Sequence, residues 1–293
     1  MFLYYLYSKY FISDIKLFNI PESHYNVDKP DVIIHQGKIH LNNSQFDKNS
    51  LNINNDKFIM KFLYGTLQIC SGNEILYELN PDYDVESLTP FIVGWGIAVV
   101  LTQMNYSTFH CSALVHNDIG FFVSGISGAG KSTTAISLIQ RGCKYLTDDI
   151  AIIDSYENMM IPPAYPVQKV CHDVSLSLNK DLLYSINNDR GKYAYLNISD
   201  YCDTPKKLTY FFQLSLSDKD HVEVTEITGV NRFYKIVENL YLSLQYAQTD
   251  LSDKEMFRCL KIAGNIRFFL IKRPKGKDTL NEITNSILKI LDE

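Results

Sequence analysis

Gly125, Ile126, Ser127, Gly128, Ala129, Gly130, Lys131 and Ser132 match the spacing GxxxxGK[ST]. Each residue type has a chemical reason to stand there. The glycines let the backbone curl so that successive N–H groups point inward at phosphate oxygens. A helix that starts at the same place adds unpaired N–H groups and the positive end of its dipole. On this reading Gly125, Ser127, Gly128, Ala129, Gly130, Lys131, Ser132 and Thr133 bind the phosphates of a nucleotide. Lys131 reaches the β- and γ-phosphates, the Ser132 hydroxyl ligates Mg²⁺, and Thr133 adds a contact. The competing reading is a glycine-rich turn with a stray lysine. The apolar run 121–124 before the motif and the helical run after it are the context the nucleotide reading requires.

A second chemical feature is Thr147-Asp148-Asp149, placed ahead of the apolar run 150–153. Adjacent acids on an extended chain point in opposite directions, so they can take different tasks. One can hold Mg²⁺ while the other takes the proton of an acceptor hydroxyl, the two carboxylate tasks of phosphoryl transfer to an alcohol. A solvated turn or a helix cap is the alternative. His110 is the third feature, on a strand-like run ahead of the glycine-rich turn. It reads either as a satisfied core histidine or as a group that orients Asp148 and tunes its pKa.

These residues need an α/β scaffold. Strand 121–124, the glycine-rich turn, helix 132–141 ended by Gly142, and strand 145–153 make a βαβ pattern. Strands are also expected at 109–115, 208–216, 222–227 and 266–271, and helices at 86–103, 229–245 and 253–262. A last helix runs to about 291, opened by Thr279 three residues before Glu282 in a capping-box spacing. Pro162, Pro163 and Pro166 preclude a regular helix there. Residues 1–85 read as a β-rich N-terminal module with an exposed loop at 42–56, and 86–293 as the nucleotide-binding domain. The aromatics Tyr4, Tyr5, Tyr7, Tyr10 and Phe11 suit the core of that module; a strand-adding peptide dock is the alternative.

Composition narrows the classes. The 293 residues are 46% hydrophobic and 21% charged, which excludes a disordered or low-complexity chain. A net charge of −5 does not suit a nucleic-acid binder with a broad basic face. Six cysteines without a CxxC pair suggest reduced thiols in a cytoplasmic protein rather than a disulfide scaffold or zinc ribbon. The apolar start is interrupted by Lys9 and lacks a cleavage site, so no export signal is expected. The strongly apolar stretch 91–101 is far shorter than the roughly 20 residues that span a bilayer, so a buried core helix is expected.

Taken together, His110-Cys111-Ser112-Ala113, the run 125–135, Arg141-Gly142 and Asp148-Asp149 resemble HPr kinase/phosphorylase. They resemble still more the related P-loop serine kinases of bacterial peptide-modification clusters. His110 stands 15 residues before Gly125 and Asp148 stands 23 after it, the spacing of those families. Pro163-Ala164-Tyr165-Pro166 followed by Lys169 also looks shared. The resemblance covers about residues 86–293 and implies a P-loop kinase fold of the HPr kinase and phosphoenolpyruvate carboxykinase type. It implies ATP- and Mg²⁺-dependent transfer of a γ-phosphoryl group to a serine hydroxyl of a small protein or precursor peptide, and a possible homo-oligomer. By the same resemblance Asp148 is the general base, Asp149 and Ser132 hold Mg²⁺, Lys131 binds phosphate and His110 supports Asp148. The region Val170-Cys171-His172-Asp173 departs from the family's glycine-rich signature, which argues against a reverse phosphorylase reaction and against HPr as substrate. Lys169, Arg190 and Lys192 are candidate acceptor or phosphate contacts, with ordinary loop solvation the alternative for the last two. A free-serine or other small-molecule kinase and a non-catalytic nucleotide-binding regulator remain open. No guanine-reading NKxD is formed, since Asn179-Lys180-Asp181-Leu182 lacks its spacing.

Overall fold

Strand β1 (Phe2–Leu6) turns into β2 (Lys9–Ser13) through Tyr7 and Ser8, at φ 54° and 61°. Left-handed backbone at both central positions is the signature of a two-residue hairpin whose twist suits the strands. The computed structural model describes residues 1–17, 20–25, 27–40, 57–171, 183–186, 192–242 and 251–293. The expected loop 42–56, Arg190, the stretch 172–173 and the segment 179–182 lie outside the described residues. Strands β3 (Val32–Gln36), β4 (Lys57–Lys61), β5 (Gly65–Cys70) and β6 (Glu74–Leu79) complete a six-stranded sheet in the order β1-β2-β3-β6-β5-β4. Tyr4, Tyr7 and Phe11 are fully buried in its core, whereas Tyr5 is exposed, its ring tilted against that of Tyr10 with centroids 4.8 Å apart.

Helix α1 (Val85–Gln103) covers the inner face of that sheet. Asp84 caps it by accepting from the Ser87 N–H at 2.8 Å. Pro90 lies inside it, and a π-turn at Ile92–Gly96 follows. Among the described residues it is the one helix long and apolar enough to cross a membrane, yet 67% of its apolar window is buried inside the protein. Leu88, Ile97 and Val100 share one core with Phe11, Leu67 and Ile75 of the sheet. The helix beyond residue 85 thus packs with the N-terminal strands.

The second half is mixed α/β. Strands β7 (Thr108–Phe109), β8 (Cys111–His116) and β9 (Ile119–Gly125) lead into α2 (Lys131–Gln140) and β10 (Lys144–Thr147). Short β11 (Ala151–Ile152) pairs with β7, and β12 (Met160–Ile161) follows it. Strands β13 (Val167–Cys171), β14 (Leu183–Ile186) and β15 (Lys192–Leu196) form a small sheet in the order β13-β15-β14. After β16 (Lys206–Ser217) and β17 (Glu223–Ile227) come α3 (Gly229–Glu238), α4 (Asp253–Asn265), β18 (Arg267–Pro274) and α5 (Leu280–Leu291). The main sheet has seven strands, ordered β10-β8-β9-β16-β18-β17 with β12 against β16. Strands β9, β16 and β18 run parallel.

Alternation along these strands feeds two cores. Phe121, Val123, Phe212 and Ile271 meet Leu138 of α2 and Ile283 and Ile287 of α5 on one face. Phe122, Phe211 and Phe268 meet Ile236 of α3 and Cys259 and Ile262 of α4 on the other. Two expectations need correction. The helix expected over 229–245 ends at Glu238, because Asn239 adopts the C-cap and its side chain donates to the Lys235 carbonyl at 2.7 Å. The capping box at Thr279 does not form; the Thr279 hydroxyl is buried without a partner, and Asp278 accepts from the Leu280 N–H at 3.1 Å.

Candidate active site

At the carboxyl end of β9 the chain bends through Gly128 and Gly130, at φ 85° and 99°. Both angles fall where L side chains are strained and glycine is not. Gly130 is the N-cap of α2, and no side chain caps that end. The first N–H groups of the helix are therefore available to an anion.

The acid pair sits differently in the sequence of elements than its apolar neighbours suggested. Asp148 and Asp149 follow the last residue of β10 and break the strand expected over 145–153, whose remainder contributes only the short β11. Strand β10 is antiparallel to β8, and β8 to β9, so β10 runs in the same direction as β9. Both carboxylates thus emerge at the same edge as the glycine-rich turn, where parallel α/β sheets bind ligands. Asp149 has φ 92°, a strained conformation for a non-glycine residue, and such strain gathers at functional sites. The Thr147 hydroxyl holds the turn by donating to the Ile150 carbonyl at 2.6 Å. Tyr7 ties the N-terminal hairpin to the same wall: its hydroxyl donates to the Ile150 carbonyl at 3.1 Å and its N–H to the Pro163 carbonyl at 3.0 Å.

The two carboxylates meet unlike partners. Asp148 is buried; it accepts from the Ser112 hydroxyl at 2.7 Å and from the Lys169 backbone N–H at 2.8 Å. Asp149 accepts from the Lys169 ammonium at 2.6 Å and faces His110 Nδ1 at 3.3 Å. His110 therefore pairs with Asp149, where the resemblance paired it with Asp148. The reason is local: His110 interrupts the ladder between β7 and β8, and Ser112, two residues on, takes the contact to Asp148. Lys131 Nζ donates to His110 Nε2 at 2.8 Å. An ammonium has only donors, so Nε2 must be the acceptor and the ring proton sits on Nδ1, aimed at Asp149. Lys131, His110, Asp149 and Lys169 thus form one chain of polar contacts, hydrogen-bonded at its two ends and an ion-pair distance in the middle.

The electrostatics agree. Burial, with the Lys131 charge next, pushes the His110 pKa down to about 4, so the ring is neutral near pH 7. Burial alone would raise the Asp149 carboxyl, but Lys169 foremost, then His110 and Lys131, hold it well below the usual carboxylate range. Burial lowers Lys169, yet its contact with Asp149 outweighs that and leaves it raised. Burial raises the Tyr165 and Tyr241 phenols, which stay protonated. Tyr241 lies edge-on to His110 at 5.5 Å and to Trp95 at 5.4 Å.

Most predicted site residues converge on this edge: Gly125 to Thr133 on the turn and helix start, His110 before β8, Asp148 and Asp149 after β10, and Lys169 on β13. Lys192 lies in β15 opposite Cys171. Residues that motif reasoning left without a role are Ser112, Tyr241 and Arg273. Ser112 lies in the run 110–113 that the sequence singled out, without a role given there. Arg273 needed the strand order, since only that brings the end of β18 beside Gly130. A hard cation such as Mg²⁺ takes one or two protein oxygens together with phosphate oxygens and water. The Ser132 hydroxyl and an acid-pair carboxylate supply that donor set, so the residues fit the ion.

No protein-family profile matches the chain. Over 49 residues it is 39% identical to the HPr kinase/phosphorylase of Chloroherpeton thalassium, a stretch that spans 17% of this chain and 14% of that relative. The solved HPr(Ser) kinase/phosphatase from Coxiella burnetii is a structural neighbour at 14% identity and a TM-score of 0.31, covering 62% of this chain and 97% of its own. The chain's resemblance to HPr kinase/phosphorylase proteins rests on the motif spacing and on that 49-residue likeness.

Proposed function

We propose that this protein is a cytoplasmic phosphotransferase of the HPr kinase type, with a P-loop kinase domain fused to the N-terminal sheet, that moves the γ-phosphoryl group of Mg²⁺-ATP to a serine hydroxyl of a small protein or precursor peptide. The observation that carries this reading is the chain from Lys131 through His110 to Asp149, which links a phosphate-binding turn to a carboxylate over two contacts of 2.8 and 3.3 Å. A nucleotide-binding regulator needs no acceptor base beside the one carboxylate that would hold Mg²⁺.

The surroundings favour dividing the acids in the reverse of the order the resemblance implies. Asp149 already has Lys169 at 2.6 Å and two further positive or polar groups, so a divalent cation there would compete with a bound ammonium. Asp148 is fixed by two neutral donors and keeps lone pairs for a metal. On this account Ser132 and Asp148 would hold Mg²⁺, and Asp149, a weak base while paired with Lys169, takes the proton late, once the hydroxyl oxygen is bonding to phosphorus. Mg²⁺ supplies charge neutralisation of the phosphate oxygens. The acceptor hydroxyl gives its proton to Asp149, its oxygen bonds to the γ-phosphorus, and the bond to the β-bridging oxygen breaks to release ADP. His110 holds Asp149 in place through Nδ1–H, and Lys131 moves from His110 to the phosphates. Lys169 steadies the carboxylate pair through its backbone and its ammonium.

The test is purified protein with γ-labelled ATP and Mg²⁺, offered serine-containing peptides or free serine. Label on peptide supports the proposal. Label on free serine alone makes it a small-molecule kinase, and ATP binding without transfer to either makes it a regulator.

A further inference from the structure

Arg273 closes β18 at the carboxyl edge of the main sheet. The order β10-β8-β9-β16-β18 puts the glycine-rich turn between the acid pair and this arginine. Gly125 is level with Leu214, and Leu214 with Ile271. Arg273 is two residues beyond that level, about 6–7 Å along the strand, and on the face of Ile271. That face is the one α2 covers. The guanidinium accordingly lies along the start of α2. Its Nη1 approaches the Ala129 carbonyl at 3.5 Å and stands 2.9 Å from where a Cβ on Gly130 would be. Its Nη2 donates to the Lys277 carbonyl at 2.8 Å, and its Nε is buried without a partner.

The charges here are lopsided. A guanidinium, the Lys131 ammonium and the positive end of α2 converge on one turn. Among the described residues Arg273 makes no ion pair; its partners are two carbonyls. The neighbouring cations of the same loop are engaged elsewhere: Lys275 pairs with Asp218 at 2.9 Å, and Lys277 donates to the Asp220 carbonyl at 3.0 Å. A guanidinium at a helix start, with carbonyls as its described partners and a buried Nε left over, suits the oxygens of a bound phosphate.

We infer that Arg273 binds the α-phosphate of the nucleotide, so that the site grips both ends of the polyphosphate. The inference rests on the kinase reading above. For transfer, the γ-phosphate must face Asp149 on the β10 side. The rest of the nucleotide then extends across the turn toward β16 and β18, where Arg273 stands. Loops 217–220 and 274–278 border that end and are tied together by Lys275–Asp218 and by the Lys275 N–H on the Ser217 carbonyl at 3.1 Å.

Calorimetric titration of the full chain with Mg²⁺-ATP, paired with turnover, tests this. Arg273→Gln is expected to weaken ATP binding about 10- to 100-fold, the range for a charge-assisted contact, and to leave turnover at saturating ATP within about threefold. Unchanged affinity, or turnover lost at unchanged affinity, overturns the inference. Should the glutamine variant fail to fold, Arg273→Lys keeps the stem and charge but loses the fork; it is expected to weaken binding several-fold, and wild-type affinity overturns the inference. If the unsubstituted protein binds no ATP, the kinase reading itself falls; if it binds and only the Arg273 variants are silent, this inference alone falls.

Discussion

Replacing each aspartate of the acid pair by asparagine separates their roles. Asp149→Asn removes the carboxylate that contacts both His110 and Lys169. A positioned general base contributes about 10²- to 10⁴-fold, so kcat is expected to fall by that factor, about 3–5 kcal/mol of barrier. Mg²⁺ dependence and ATP affinity should hold. Asp148→Asn acts differently. Its carboxylate now takes two donors, Ser112 at 2.7 Å and the Lys169 N–H at 2.8 Å. An amide offers one oxygen and turns an NH₂ toward a donor, which leaves a buried group unpaired at a cost of about 1–3 kcal/mol. That variant is expected to melt several degrees lower and to need more Mg²⁺ for half-maximal rate. Transfer of label from γ-labelled ATP across a Mg²⁺ series, with thermal melts of both variants, reads all of this. The reverse pattern, with Asp149→Asn raising the Mg²⁺ requirement and Asp148→Asn retaining it while losing kcat, refutes the reasoning and restores the division that the family resemblance implies.

Two further outcomes follow from the same geometry. Gly130→Ala places a methyl group 2.9 Å from the Arg273 guanidinium on a backbone of φ 99°; it should cost about 1–3 kcal/mol of strain and weaken ATP binding, and a titration matching the parent would contradict this. Acid should destabilise the fold: His110 titrates at about 4 against an ordinary 6.5, so between those values the unfolded chain takes up a proton that the folded chain refuses, and stability drops as pH falls from about 6.5 to about 4. Asp149, depressed further still, adds a loss of the same sign at lower pH. His110→Gln should flatten the slope between pH 4 and 6.5 in urea melts; identical slopes would argue against a buried neutral imidazole.

Local chemistry made the glycine-rich turn and the main strands readable. Gly128 and Gly130 announce positive φ, and the apolar runs at 121–124, 208–216 and 266–271 fall in three parallel central strands. What stayed hidden depends on tertiary arrangement. The run after Asp149 looks like a strand by its Ile and Ala content, yet the register ends β10 at Thr147 and leaves only Ala151 and Ile152 paired. His110 reaches Asp149 because the chain bends there, a detail without a spacing signal. Thr279 and Glu282 have the capping-box spacing, but no box forms, and Asp278 accepts from the Leu280 N–H instead. The N-terminal sheet looked separable, and only the fold shows Tyr7 pinned to the turn that carries the acids.

The most direct measurement is a solved complex with Mg²⁺ and a non-hydrolysable ATP analogue. The account predicts polyphosphate in the curl around Gly130, the terminal phosphate within hydrogen-bond reach of Lys131 Nζ, and Asp149 facing its open side. A nucleotide seated elsewhere, or a terminal phosphate turned away from the acid pair toward β18, would contradict it.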